Sequence, residues 1–153
     1  ARKLFPDIIE TCTSMRRLLS LVARIAPSEA SVLIMGESGT GKELIAREIH
    51  RLSLRNHEVM VSVDMGAVSE TLFESELFGH VKGAFTDARE NRAGKFETAN
   101  KGTLFLDEIG NLSFHLQAKL LAAILSSTYY TLTQTCVKNE ATNLHYKLGQ
   151  KLA

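Results

Sequence analysis

The spacing of apolar positions changes several times along the chain. Between Ser14 and Ala26, Met15, Leu18, Leu19, Val22 and Ile25 recur at steps of three and four, with Arg16, Arg17 and Arg24 off that face. This predicts an amphipathic helix, ended by Pro27. Ser31 to Met35 is a continuous apolar run, which predicts a strand buried on both faces. Lys42 to Leu52 returns to the helical period, with Leu44, Ile45 and Ile49 inward. Val59 to Val63 reads as a second strand, and Thr71 to Phe78 as a helix carrying Leu72, Phe73, Leu77 and Phe78. Lys95 to Ala99 is a short helix closed by Gly102, Thr103 to Leu106 a third buried strand, and Ser113 to Leu125 a helix with Phe114, Leu116, Leu120, Leu121 and Ile124 as core candidates. Gly79 to Asn91 is polar, bears glycines and fits neither period. Thr128 to Thr135 alternates loosely and is a strand candidate, whereas 136–153 show little periodicity.

Strands alternating with helices predict an α/β fold: a parallel sheet covered on both sides, with ligands beyond the carboxyl ends of its strands. The 153 residues suffice for one domain with one core, and 44 % hydrophobic with 23 % charged content is ordinary for a soluble globular protein. A net charge of +1 gives no global electrostatic case for nucleic acid. Cys12 and Cys136 match no metal spacing and read as reduced thiols of a cytoplasmic protein. His50, His57, His80, His115 and His145 form no ligand pair and read as surface or packing residues. No apolar run is long enough to span a membrane, and no leader pattern opens the chain.

Two segments carry chemistry. Gly36-Glu37-Ser38-Gly39-Thr40-Gly41-Lys42 lies between the first strand and the second helix, the context of a phosphate-binding loop. Its glycines let backbone N–H groups face phosphate oxygens, the helix start adds its positive dipole end, and Lys42 adds a full charge. Thr103-Leu104-Phe105-Leu106-Asp107-Glu108 is an apolar strand ending in two carboxylates. Asp107 can hold magnesium, directly or through water, and Glu108 can orient and deprotonate an attacking water. Together they predict a site for a nucleoside triphosphate and Mg2+. Glu43 stands where a hydroxyl would usually touch the metal, although an acidic side chain also suits a helix start. A third segment, Glu74 to Ala88, sets Phe85 among small residues. It reads either as a surface loop whose Phe tucks into the core or as a mobile tip that presents Phe85 and Thr86 to a partner.

Gly36 to Glu43, Glu74 to Ala88 and Gly102 to Glu108 together resemble the central domain of sigma-54-dependent transcriptional activators, bacterial enhancer-binding proteins of the AAA+ class. The resemblance covers roughly residues 5–125. It implies a P-loop NTPase fold of AAA+ type, a three-layer αβα sandwich followed in the family by a helical lid. It also implies a cytoplasmic protein that assembles into rings and uses ATP hydrolysis to remodel the sigma-54 RNA polymerase closed complex. By this resemblance Lys42 contacts the β and γ phosphates, Asp107 holds magnesium and Glu108 activates water. Gly83, Ala84, Phe85, Thr86, Asp87 and Ala88 form the loop that meets sigma-54. The family also carries Lys-Glu at the end of its loop, which accounts for Glu43.

The chain departs from the family pattern in places. Asp64 stands where the family usually has an Asn that restrains the catalytic Glu; it reads either as a residue solvated or paired with a cation, or as one that approaches Glu108, in which case repulsion is expected to raise one of the two pKa values. Asp87 replaces a Gly in the loop. Ala141-Thr142-Asn143 is a candidate for the family's sensor, with Thr142 and Asn143 as its polar members. No arginine follows Arg92, so the chain is expected to be a piece of a longer regulator, without the lid and arginine fingers, and a poor ATPase alone. DNA would be contacted only through a separate domain. Two other readings remain open: a catalytically silent nucleotide- and sigma-binding module, and an unrelated AAA+ remodelling ATPase.

Overall fold

The computed structural model describes residues 8, 12–37, 39–80, 82–83, 88–126, 128–130, 136–138 and 145–149. Its elements run in the order α1 (Thr13–Ile25), β1 (Val32–Ile34), α2 (Lys42–Arg51), β2 (Met60–Asp64), α3 (Glu70–Phe78), α4 (Lys95–Thr98), β3 (Thr103–Asp107), a 3-10 turn (Ile109–Asn111), α5 (Phe114–Ser126), β4 (Thr128–Tyr130), β5 (Cys136–Lys138) and β6 (His145–Gly149). Every helix and strand predicted up to residue 125 is present, with ends moved by a residue or two. Gly79 to Asn91 holds no helix or strand of its own among the described residues.

β1, β6, β3 and β2 form a parallel sheet in that order, and β4 pairs antiparallel with β5 apart from it. The second strand position of the sheet is filled by His145–Gly149, from a stretch whose hydrophobic pattern predicted nothing. The strand candidate at Thr128 to Thr135 is realised as Thr128–Tyr130; 131–135 lie outside the described residues.

Register and burial together define the layers. Val61 lies beside Leu104 and Val63 beside Leu106, and these four share a face with Leu33 through β6. That face is covered by α3, α4 and α5, whose Phe73, Leu77, Phe78, Phe96, Leu116 and Leu120 pack into one core with Leu104 and Leu106. Val32 and Ile34 share the opposite face with Phe105, where α1 and α2 supply Leu19, Val22, Ala26 and Ile49. A sheet with helices on both faces is the predicted three-layer arrangement. Phe78 and Phe96 stack with ring centroids 5.3 Å apart, and burying each such side chain stabilises the fold by about 1.5–3 kcal/mol.

β1 corrects one expectation. It is an edge strand of the described sheet, so Leu33 and Met35 are exposed rather than buried on both faces. His50 is a packing residue: its Nδ1 lies 2.7 Å from Thr103 Oγ1, and its Nε2–H donates to the Glu58 carbonyl at 3.1 Å. The ring thereby ties α2 to the starts of β2 and β3.

Candidate functional site

The glycine loop leaves the carboxyl end of β1 and opens α2. Gly39 (φ 77°) and Gly41 (φ 90°) lie in the left-handed region, which glycine enters without steric cost, and Gly41 caps α2. Nothing lies within 4 Å of a Cβ built on either residue, so the loop is open at these positions. The Thr40 hydroxyl donates to the Glu37 carbonyl at 2.7 Å. Lys42 is 7 % exposed, and its Nζ donates to the carbonyls of Gly36 (3.1 Å) and Glu37 (2.6 Å). The ammonium is thus held inside the curl of the loop. Glu43 is turned along α2 to Arg47 in an exposed ion pair at 2.8 Å. Ser38 lies outside the described residues.

The acidic end of β3 sits at the same end of the sheet. Asp107 is in register with Asp64 of β2, and the Met65 N–H donates to the Asp107 carbonyl at 2.9 Å. Burial pushes the Asp107 carboxyl above its ordinary value, and the charges of Glu108 and Asp64 push the same way. The Glu108 N–H, which donates to Asp107 Oδ1 at 2.9 Å, and the Lys42 ammonium pull it down. Lys42 and Asp107 therefore act on each other electrostatically across the strand ends.

Asp64 Oδ1 accepts from the Gly66 N–H at 2.9 Å, and Glu108 Oε2 accepts from Asn111 Nδ2 at 3.0 Å. Glu108 itself has φ 59° and ψ 32°, a left-handed conformation that costs a non-glycine residue roughly 1–3 kcal/mol and is common at functional sites. Sequence reasoning missed Asn111, although its place three residues after Glu108 would have pointed to it had the turn been recognised.

The donor set suits a magnesium nucleotide. Open backbone, a helix start and an ammonium can meet phosphate oxygens, and magnesium is commonly held by one or two carboxylates together with substrate phosphates. Among the described residues no group of three or more His, Cys, Asp or Glu could hold a metal by itself.

The polar segment after α3 is a hairpin neck. His80 and Arg92 exchange both backbone hydrogen bonds, at 2.9 and 2.8 Å. The Lys82 N–H donates to Asn91 Oδ1 at 2.8 Å, and the Gly83 N–H to the Ala88 carbonyl at 2.9 Å. Ser75 Oγ lies 2.6 Å from His80 Nδ1, and Arg92 pairs with Glu76 at 3.2 Å, so both sides of the neck are tied to α3. Ala84, Phe85, Thr86 and Asp87 lie outside the described residues, as do Ala141, Thr142 and Asn143. No described helix is long and apolar enough to cross a membrane.

Residues 8–144 match the family model described as the Sigma-54 interaction domain. The sigma54-dependent transcriptional activator SfnR of Pseudomonas putida is 61 % identical over 107 residues, which are 70 % of this chain and 29 % of SfnR. The transcriptional regulatory protein ZraR of Escherichia coli strain K12 is 57 % identical over 111 residues, 72 % of this chain and 25 % of ZraR. The crystal structure of NtrX from Brucella abortus in complex with ATP is similar with a TM-score of 0.80 at 29 % identity, covering 97 % of this chain and 33 % of that one. The chain thus spans about a quarter to a third of the length of these proteins. These likenesses set aside an unrelated AAA+ machine. Glycine loop, acidic strand end and hairpin neck all fall within the matched span, and the chain belongs to the Sigma-54 interaction domain family.

Proposed function

We propose that this chain is the ATP-binding core of a sigma-54-dependent transcriptional regulator, and that the longer protein containing it couples ATP hydrolysis to remodelling of the sigma-54 RNA polymerase closed complex. The observation that carries the reading is the placement of Lys42 and Asp107 at one end of the sheet, close enough for the ammonium to act on the carboxyl. ATP bound to the relative NtrX supports the choice of nucleotide.

In this reading the N–H groups of Gly36 to Lys42 and the start of α2 bind the phosphates, with Ser38, Thr40 and Glu43 forming the rest of the loop. Lys42 moves its ammonium from the Gly36 and Glu37 carbonyls to the β and γ phosphates. Asp107 holds magnesium, directly or through water, and the ion when bound neutralises charge on the transferred phosphoryl group. Glu108 orients the attacking water and takes its proton. Asp64 adds negative charge beside this pair.

The hairpin whose neck is His80–Arg92 carries Gly83 to Ala88, with Phe85 and Thr86 meeting sigma-54 and Asp87 adding a charge to that contact. Thr142 and Asn143 are the proposed sensor. Ring assembly, and DNA contact through a separate domain, belong to the longer protein. Capture of sigma-54 in the presence of ATP and a γ-phosphate mimic tests the reading. Wild type is expected to bind and Thr86→Ala to lose binding; capture that ignores nucleotide would favour a silent module instead.

A further inference from the structure

A carboxylate accepts hydrogen bonds and does not donate them, and Asp64 Oδ1 accepts from the Gly66 N–H at 2.9 Å. A donor reaches Glu108 from the turn that follows it. Asn111 Nδ2 donates to Glu108 Oε2 at 3.0 Å, while the Asn111 N–H donates to the Glu108 carbonyl at 3.1 Å. The 3-10 turn Ile109–Asn111 produces both contacts, because residues three apart in such a turn lie above one another. Gly66 brings these side chains to one exposed corner: a Cβ on it would stand 3.2 Å from Asp64 Oδ1, 3.5 Å from Asn111 Nδ2 and 3.7 Å from Glu108 Cβ.

We propose that Asn111 is a positioning residue for Glu108. Its amide holds the carboxylate from within the same turn and supplies the donor that Asp64 cannot. The proposal rests on the reading of Glu108 as the group that activates water. It follows the logic of a base oriented by a third group, with a neutral side chain in the orienting place. An aspartate at 111 would lose the donor and bring a further negative charge to Asp64, Asp107 and Glu108.

A merely structural role predicts a different outcome. Asn111 ends the 3-10 turn three residues before α5 and is exposed, a place where aspartate matches asparagine in size and turn preference. If Asn111 only shaped the turn, Asn111→Asp would behave as wild type.

The test measures ATP turnover of the full protein together with its affinity for a non-hydrolysable ATP analogue. Asn111→Ala is expected to lower kcat by roughly tenfold or more through misplacement of the base, with KM and analogue affinity unchanged. Asn111→Asp should be no better than Asn111→Ala. In a Glu108→Gln background, Asn111→Ala should add no further loss. In the nucleotide-free protein, Glu108→Ala should move the Asn111 side-chain amide resonance in a 15N spectrum. Wild-type kcat in Asn111→Asp, or an amide resonance indifferent to Glu108→Ala, would overturn the proposal. Normal turnover in Glu108→Ala would instead overturn the role of Glu108, so the two failures are distinguishable.

Discussion

Gly94 and Gly39 are both expected to resist substitution, for opposite reasons, and the larger cost falls outside the nucleotide loop. Gly94 has φ −81° and ψ 172°, which alanine adopts freely. Its difficulty is space. An added Cβ would stand 2.3 Å from the Leu77 carbonyl oxygen, 2.4 Å from the Gly79 nitrogen and 2.5 Å from the Phe78 carbonyl carbon, all of them backbone atoms. Relief requires the two sides of the hairpin neck to separate by more than roughly half an ångström, since overpacked cores yield only through backbone shifts. That movement strains the two His80–Arg92 backbone bonds, worth about 1 kcal/mol each, and the Phe78–Phe96 stack, worth about 0.5–1.5 kcal/mol. The sum is about 3 kcal/mol. Gly39 is the reverse case: a Cβ meets nothing within 4 Å, but φ is 77°, so Gly39→Ala should cost about 1–2 kcal/mol from conformation alone. With a urea m-value of about 1.5 kcal/mol/M, Gly94→Ala should lower the unfolding midpoint by about 2 M and Gly39→Ala by about 1 M. A Gly94→Ala midpoint at or above that of Gly39→Ala would refute the steric reasoning and free the neck from its close packing.

Lys42→Ala should weaken ATP binding by about a hundredfold or more, since each charged hydrogen bond to phosphate contributes about 1.5–3 kcal/mol; calorimetry checks this, and unchanged affinity would remove Lys42 from the site. Burial raises the Asp107 carboxyl above its ordinary value in the folded protein, so the native state holds its proton more tightly than the unfolded chain. Stability is therefore lost as pH rises through the folded pKa. Asp107→Asn should match wild type in urea stability at acid pH and exceed it at neutral pH, in the absence of nucleotide; equal stability at both would contradict the burial of this group. Phe96→Ala should destabilise by about 3–5 kcal/mol, read by thermal unfolding, because the ring is fully buried against Phe78.

The sequence carried β3 legibly because Leu104 and Leu106 face one helical layer and Phe105 the other, and a strand buried on both faces reads as an unbroken apolar run; the helices were legible by period, although Leu44, Phe114 and Leu121, read as core positions, are exposed. The glycine loop and the acidic strand end were legible as types and spacings, since phosphate binding demands backbone that curls and magnesium demands oxygen. β6 was not legible. His145-Tyr146-Lys147-Leu148-Gly149 has no continuous apolar run, and only its parallel pairing with β1 and β3 places it. The raised Asp107 carboxyl was not legible for a related reason. Like charges can be counted in a sequence, but burial, the leading cause at Asp107, is decided by packing.

The same buried core lies between the acidic strand end and the hairpin neck. Nothing in the order of residues joins Glu108 to His80, yet each is fixed to a helix that shares one core. Asn111 fixes Glu108 to the turn that enters α5, and Lys119 of α5 pairs with Glu74 of α3 at 2.5 Å. α3 in turn holds the neck through Ser75–His80 and Glu76–Arg92. Phe73, Leu77, Leu116 and Leu120 pack between the same two helices in a single buried cluster, so the two helices share one close-packed interior. Polar contacts bound that interior at either end: Asn111 to Glu108 at the strand end, and Ser75–His80 with Glu76–Arg92 at the neck.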